Sequence, residues 1–226
     1  MEQAKRGILP AYRSNYWMDK TKEREEMQVN FLYYWEAAYK KSRLRGQDWM
    51  NKKIKSIGYT LLSAGIAFFL YILLHEFGHM IVMLSVGATI TDFSIFTAHV
   101  SADGGNYTDL SDMFMNVNGA LLPLIISYLY TLLYKKGSTK SFYRIFSYMV
   151  TLIPIASMFA WVFIPFAYLH TDVPINDDVT KFLAVFCESY HPLIVSVMAV
   201  VLIGMGVFLM IKKRVIYNFI EEIKQK

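Results

Sequence analysis

The chain has 226 residues, of which 55% are hydrophobic, 16% aromatic and only 18% charged, with a mean hydropathy of +0.31. That balance excludes an ordinary water-soluble domain of this length and predicts an integral membrane protein. The single cysteine, Cys187, excludes an intrachain disulfide and a thiolate cluster, so any bound metal has to be held by His, Asp or Glu.

The formal net charge of +5 is unevenly placed: residues 1–56 hold 13 Lys and Arg against 7 Asp and Glu, ahead of the first long apolar run. This region is too long for the charged part of a cleaved secretory signal and has no small-residue cleavage pattern after it, so it reads as a basic cytoplasmic N-terminal segment. Within it Met27, Phe31, Tyr34, Trp35 and Ala38 recur at helical spacing and "KKSRLRG" follows. The pattern fits an amphipathic helix lying on the inner membrane surface, and equally a solvated or partner-binding helix. No nucleic-acid motif accompanies the charge, and nucleic acid is not an expected partner.

Four apolar stretches then follow, each long enough for a hydrocarbon core about 30 Å thick, which takes about 20 helical residues. They run over residues 57–86, 113–134, 142–168 and 192–211. The first connection carries Asp92, Asp103, Asp109 and Asp112 without a Lys or Arg; the second, "KKGSTKSFYR", is basic; the third, "HTDVPINDD", is acidic; and "KKR" follows the last span. Basic links favour the cytoplasmic side, which predicts a multi-pass protein of the cell membrane with both termini inside and the acidic links outside. In "TDFSIFTAHVSADGGNYTD" apolar and polar residues partly alternate and "ADGGN" offers residues tolerant of positive φ, so a short β-hairpin is expected there, turning at those glycines. The expected fold is an all-α polytopic membrane protein of about four transmembrane helices with a short β-hairpin after the first. Its parts are the segment 1–56, a membrane domain over 57–211 and a cytoplasmic tail over 212–226.

The first span contains "YILLHEFGHMIV", in which two histidines and a glutamate sit inside an apolar run. Ionisable groups at membrane depth are costly and are kept for a use. Positions 75 and 79 lie one helical turn apart on one face, so both imidazoles reach a single ion. Zinc suits imidazole and, in catalytic sites, takes three protein ligands and leaves one position open. With Glu76 beside the first histidine this is the H-E-x-x-H arrangement, in which the glutamate is the general base for a water that the cation activates. Gly78 costs helix propensity, which close approach of another backbone offsets.

The third ligand has to come from elsewhere. "VPINDDVTKFL" leads into a further helix, and Asp177 or Asp178 reaches the required depth at its start; Asp177 is favoured, although the pair also suits a cap for a helix beginning near Val179. Glu188, His170 and His191 are further candidates, and Cys187 reads as packing. The second span opens with "MNVNGALLP", placing Asn116 and Asn118 at the depth of the histidines. Asn118 in particular suits either the substrate backbone or developing oxyanion, or hydrogen bonding between helices.

"HEFGH" in a membrane helix, the polar hairpin after it, "NVNGALLP" and the late "PINDD" together resemble the site-2 protease family of intramembrane zinc metalloproteases, over roughly residues 57–190. The resemblance implies zinc bound by His75, His79 and Asp177, Glu76 as catalytic base, Asn118 as a substrate contact, and a hairpin edge that pairs with an unwound substrate. The expected function is a zinc-dependent endopeptidase acting on transmembrane or membrane-associated polypeptides, its surroundings being membrane lipid. The rival is a non-enzymatic membrane protein that keeps the histidines to handle a metal or a proton.

Overall fold

The computed structural model describes residues 8–171 and 173–224, with the side chains of residues 8–29, Phe31, Arg45, Gly46 and Asp48 outside the description. Its elements are α1 (Ile8–Ser85), β1 (Ala88–Ser94), β2 (His99–Gly104), α2 (Asp109–Leu133), α3 (Ser141–Tyr168), α4 (Asp178–Phe186), α5 (Leu193–Lys212) and α6 (Val215–Lys224). The chain divides into two compact units, Met1–Ile54 and Lys55–Lys226, and α1 contributes to both. In the first unit, Met27 and Phe31 of the expected amphipathic stripe fall outside the described side chains, whereas Tyr34, Trp35 and Ala38 are exposed. Trp35 stacks on Tyr39 with ring centres 5.6 Å apart.

Four helical segments are long and apolar enough to cross a membrane: Leu32–Ser85, Asp109–Leu133, Ser141–Tyr168 and Leu193–Lys212. They match the four expected apolar stretches, and they are consistent with a membrane protein. The outer face of α5 supports the same reading, because Val197, Val201, Phe208 and Ile211 stand exposed along it. An apolar face of that length is a poor surface in water and an ordinary one in hydrocarbon.

In the second unit, α3 lies along α5, and α2 packs against α3 and α4. The shared core is built from Leu124 and Tyr128 of α2, Ile155, Met158 and Trp161 of α3, Leu183 of α4 and Ala199 of α5. Hydroxyls join α2 to α3 within it: Tyr130 Oη lies 2.7 Å from Ser147 Oγ, and Thr131 Oγ1 lies 3.3 Å from Thr151 Oγ1. Residues after the last span form α6, which is packed against α3. Asn218 Nδ2 donates to Tyr134 Oη at 2.9 Å and to the Lys136 carbonyl at 3.0 Å, and Arg144 pairs with Glu221 and Glu222 at 3.4 and 3.7 Å. The basic link between α2 and α3 and the segment after α5 therefore share one end of the bundle.

The hairpin forms, and its turn is not where the sequence placed it. β1 and β2 pair antiparallel from Ala88↔Gly104 to Ser94↔His99, with an irregularity between Ile90 and Asp92. The reversal is made by residues 95–98, where Ala98 takes φ 47, a left-handed conformation that costs a non-glycine residue some strain. "DGGN" instead ends β2, and Gly104 and Gly105 adopt φ 75 and 89 there to turn the chain towards α2. The two glycines are thus used at the end of the ladder away from the reversal, and Phe93 of β1 meets Phe77 of α1 with ring centres 6.0 Å apart.

Candidate metal site

α1 and α2 approach closely at a point where each places a glycine, Gly78 and Gly119. A Cβ built on Gly78 would lie 2.2 Å from the Asn118 carbonyl oxygen, and one on Gly119 would lie 2.5 Å from His79 Nε2. Two glycines therefore let the backbones touch and leave the imidazoles room. The contact is tied by two hydrogen bonds: Asn118 Nδ2 donates to the Gly78 carbonyl at 2.8 Å, and His79 Nδ1 donates to the Met115 carbonyl at 2.8 Å. The second bond fixes the tautomer of His79 and turns its Nε2 lone pair inward, as is usual for a metal-binding imidazole.

The third partner arrives from α4. Asp178 Oδ2 lies 3.1 Å from His75 Nε2 and 3.3 Å from His79 Nε2, and the two Nε2 atoms are 3.1 Å apart. Ligands bound to one zinc ion at 2.0–2.1 Å in a tetrahedron are separated by about 3.3 Å, so this triangle has the size of one tetrahedral face. A His₂Asp donor set also suits zinc or a neighbouring transition metal better than calcium or magnesium, which favour all-oxygen sites. His75 and Asp178 keep side-chain exposures of 23% and 26%, so the triangle is open on one side to a water or a substrate. The residues present fit a divalent cation.

Local sequence explains why Asp178, and not the favoured Asp177, reaches the histidines. Asp177 is the N-cap of α4: its Oδ1 accepts from the Val179 and Thr180 amides at 2.9 and 3.1 Å, and the Thr180 hydroxyl returns to the Asp177 backbone. A carboxylate spent on the cap cannot also turn to α1. Asp178 is the next residue, in the first helical turn, where the helix dipole favours its negative charge. Burial pushes the Asp178 carboxyl up, but hydrogen bonds and charge from His75 and His79 outweigh it and hold the group below the usual carboxylate range. The signal was present in the sequence as D-x-x-T, a capping box that singles out the first Asp as cap and releases the second.

Glu76 is 3% exposed and lies on the flank of the same turn as the histidines. Asn118 is committed through Nδ2 to the Gly78 backbone, which is the helix-joining alternative. Asn116 is buried and donates to the Asp112 carbonyl of its own helix at 2.8 Å. Glu188, His170 and His191 are exposed and lie outside the cluster, His170 instead meeting the Phe166 carbonyl at 2.9 Å. Sequence reasoning missed Gly119 as the residue that makes room for the imidazoles, although a glycine after two asparagines in a membrane helix is itself a close-approach signal. Compared with known protein families, characterised proteins and solved structures, the chain matches none.

Proposed function

We propose that this protein is a membrane-embedded zinc endopeptidase acting on membrane-associated polypeptides. The observation that carries the reading is the convergence of His75, His79 and Asp178 on one point, beside a buried Glu76, on a helix apolar enough to cross a membrane. His75, His79 and Asp178 would hold the ion, with Asp178 in the place first assigned to Asp177. A bound zinc supplies a Lewis acid that polarises the peptide carbonyl and lowers the pKa of water to about 7. Glu76 accepts the proton of the attacking water as its oxygen adds to the carbonyl carbon. It then returns a proton to the departing amine as the C–N bond breaks. The β1–β2 hairpin leads directly out of α1 and offers an edge with which an extended substrate can pair. The resemblance to the site-2 protease family supports the same assignment, and the charged links support a multi-pass cell-membrane protein with both termini cytoplasmic.

Detergent-purified protein should contain one zinc per chain and cleave a reporter polypeptide carrying an apolar segment. Glu76→Gln should retain the zinc and lose at least 10³-fold in rate, and His75→Ala should lose the metal. Full activity in Glu76→Gln would end the endopeptidase reading. A second reading has its own support: Asp178 Oδ2 is within hydrogen-bond reach of both imidazoles, an arrangement that a shared proton also satisfies, as in a proton- or metal-handling protein. Zinc-free protein that is folded and fully functional in transport would favour it.

A further inference from the structure

The last helix, α6, is turned inside out for a helix on a water-washed surface, which keeps its apolar side against the protein and its polar side outward. In α6 the polar Asn218 and Glu222 are buried with Val215, whereas Tyr217, Ile220 and Ile223 are 51%, 41% and 51% exposed. The buried polar groups have their partners: Asn218 meets Tyr134 and the Lys136 carbonyl, and Arg144 holds Glu222 as well as Glu221. Polar groups satisfied inside and apolar ones bare outside suit a helix whose outer medium is hydrocarbon.

The depth of α6 follows from its neighbours. Its 10 residues rise about 15 Å, too little to cross a membrane. The chain leaves α5 at Lys212 and reverses through Arg214, which takes φ 62. The side-chain partners of α6 then fall within residues 134–148, since Phe219 also stacks on Tyr148 with ring centres 3.8 Å apart. Those residues end α2 and begin α3, so α6 sits at the level where two spans stop and start. In a bilayer that level is the boundary between acyl chains and headgroups.

The same end of the bundle is basic. Residues 134–146 and 212–224 hold eight Lys and Arg against two Glu, and both Glu pair with Arg144. Lys213 Nζ donates to the Leu132 carbonyl. Lys135, Lys136, Lys140, Lys212, Arg214 and Lys224 are exposed, with no carboxylate partner among the described residues. Two of them run along apolar rings as snorkelling side chains do: Lys212 Nζ is 5.7 Å from the Phe208 ring centre and Arg214 Cζ is 4.4 Å from that of Tyr217. Free cations beside an apolar stripe call for an anion that carries hydrocarbon behind its charge, and an acidic phospholipid has both parts.

We propose that α6 is an interfacial helix that binds anionic phospholipid, with Tyr217, Ile220 and Ile223 set among the acyl chains and the surrounding lysines and arginine holding the headgroup phosphates. The inference takes the membrane setting of the long helices and is independent of the endopeptidase chemistry.

The test uses the full chain in a Cys187→Ser background, with one nitrobenzoxadiazole label attached through Ile220→Cys or, on the same side, Tyr217→Cys. Labelled protein is placed in nanodiscs of mixed phosphatidylglycerol and phosphatidylcholine, one or the other lipid carrying a shallow doxyl quencher. Quenching by the phosphatidylglycerol form should exceed that by the phosphatidylcholine form about two- to fivefold, and high salt should remove the excess. The triple variant Lys136→Gln, Lys212→Gln, Lys224→Gln should lose the excess too, while a label at Asn106→Cys, beyond the other end of α2, should show none. Labels at 217 and 220 that are quenched by aqueous iodide and by neither lipid overturn the proposal, because the face is then in water. Equal quenching by the two lipids overturns it as well, since no anion would be selected. Energy transfer between two labelled chains in one disc, in place of lipid quenching, overturns it in favour of a second copy of the chain. Protein that stays out of the discs altogether refutes the membrane setting and this inference together.

Discussion

At the scale of single residues, neighbouring carboxylates carry different work because one helix start divides them. Asp177 closes the backbone of α4 and Asp178 faces the imidazoles. Asp178→Asn should therefore lower zinc affinity at least 100-fold, read as metal content after dialysis against a weak chelator. Asp177→Asn, which preserves a good cap, should leave metal content at the wild-type value. Asp177→Ala should cost about 1 kcal/mol of stability through the lost cap, seen as a lower unfolding midpoint. The reverse pattern, with metal lost in Asp177→Asn and kept in Asp178→Asn, would reinstate the assignment made from the sequence. His75, Glu76 and His79 were legible because their spacing alone sets them on one helical face. The choice between Asp177 and Asp178 was legible only through the threonine at 180, a local rule about backbone amides and not about metals.

At the scale of elements, the site depends on how closely α1 and α2 approach. Gly78 would need its neighbour's backbone to move if given a methyl group, and backbone yields less readily than a side chain end. Gly78→Ala should lower the unfolding midpoint by several degrees and reduce metal content. Gly65→Ala, on the same helix with nothing within 4 Å of the added carbon, should be neutral or stabilising by up to about 1 kcal/mol. Equal tolerance of both changes would mean that the crossing is looser than described. The sequence marked Gly78 as a place of close approach, yet its partner could not be named, since contact between residues 78 and 118 is a property of tertiary packing. The hairpin shows the converse. Its existence followed from the alternation of apolar and polar residues, whereas its register, Ala88↔Gly104 to Ser94↔His99, leaves the glycines outside the turn that they suggested.

At the scale of the whole molecule, charge and hydropathy were sufficient to locate the four helices long and apolar enough to cross a membrane, because that property needs only length and apolarity. They also grouped the links correctly by end of the bundle, with the α2–α3 link and α6 in contact through Asn218 and Arg144. What they missed is that residues after the last span fold back as a helix, since one buried face of three residues, Val215, Asn218 and Glu222, is too short a pattern to stand out. The charge asymmetry predicts opposite sides for the acidic and basic links. Single cysteines introduced at Asn106 and Gly137, in a Cys187→Ser background, should therefore be labelled from opposite faces of the membrane by an impermeant thiol reagent. Labelling of both from one face would refute the four-span arrangement.

The triangle of His75, His79 and Asp178 spans about one hundred positions of chain, from the first apolar helix to a short late one. An ion seated there acts as a rivet, closing a long loop whose ends are otherwise joined only by side-chain contacts, and stability and cargo become linked quantities. Withdrawing the ion by chelation should speed amide exchange across Asp178–Phe186 well before the α3–α5 pair is affected, so the short helix would be the first part of the fold to come undone.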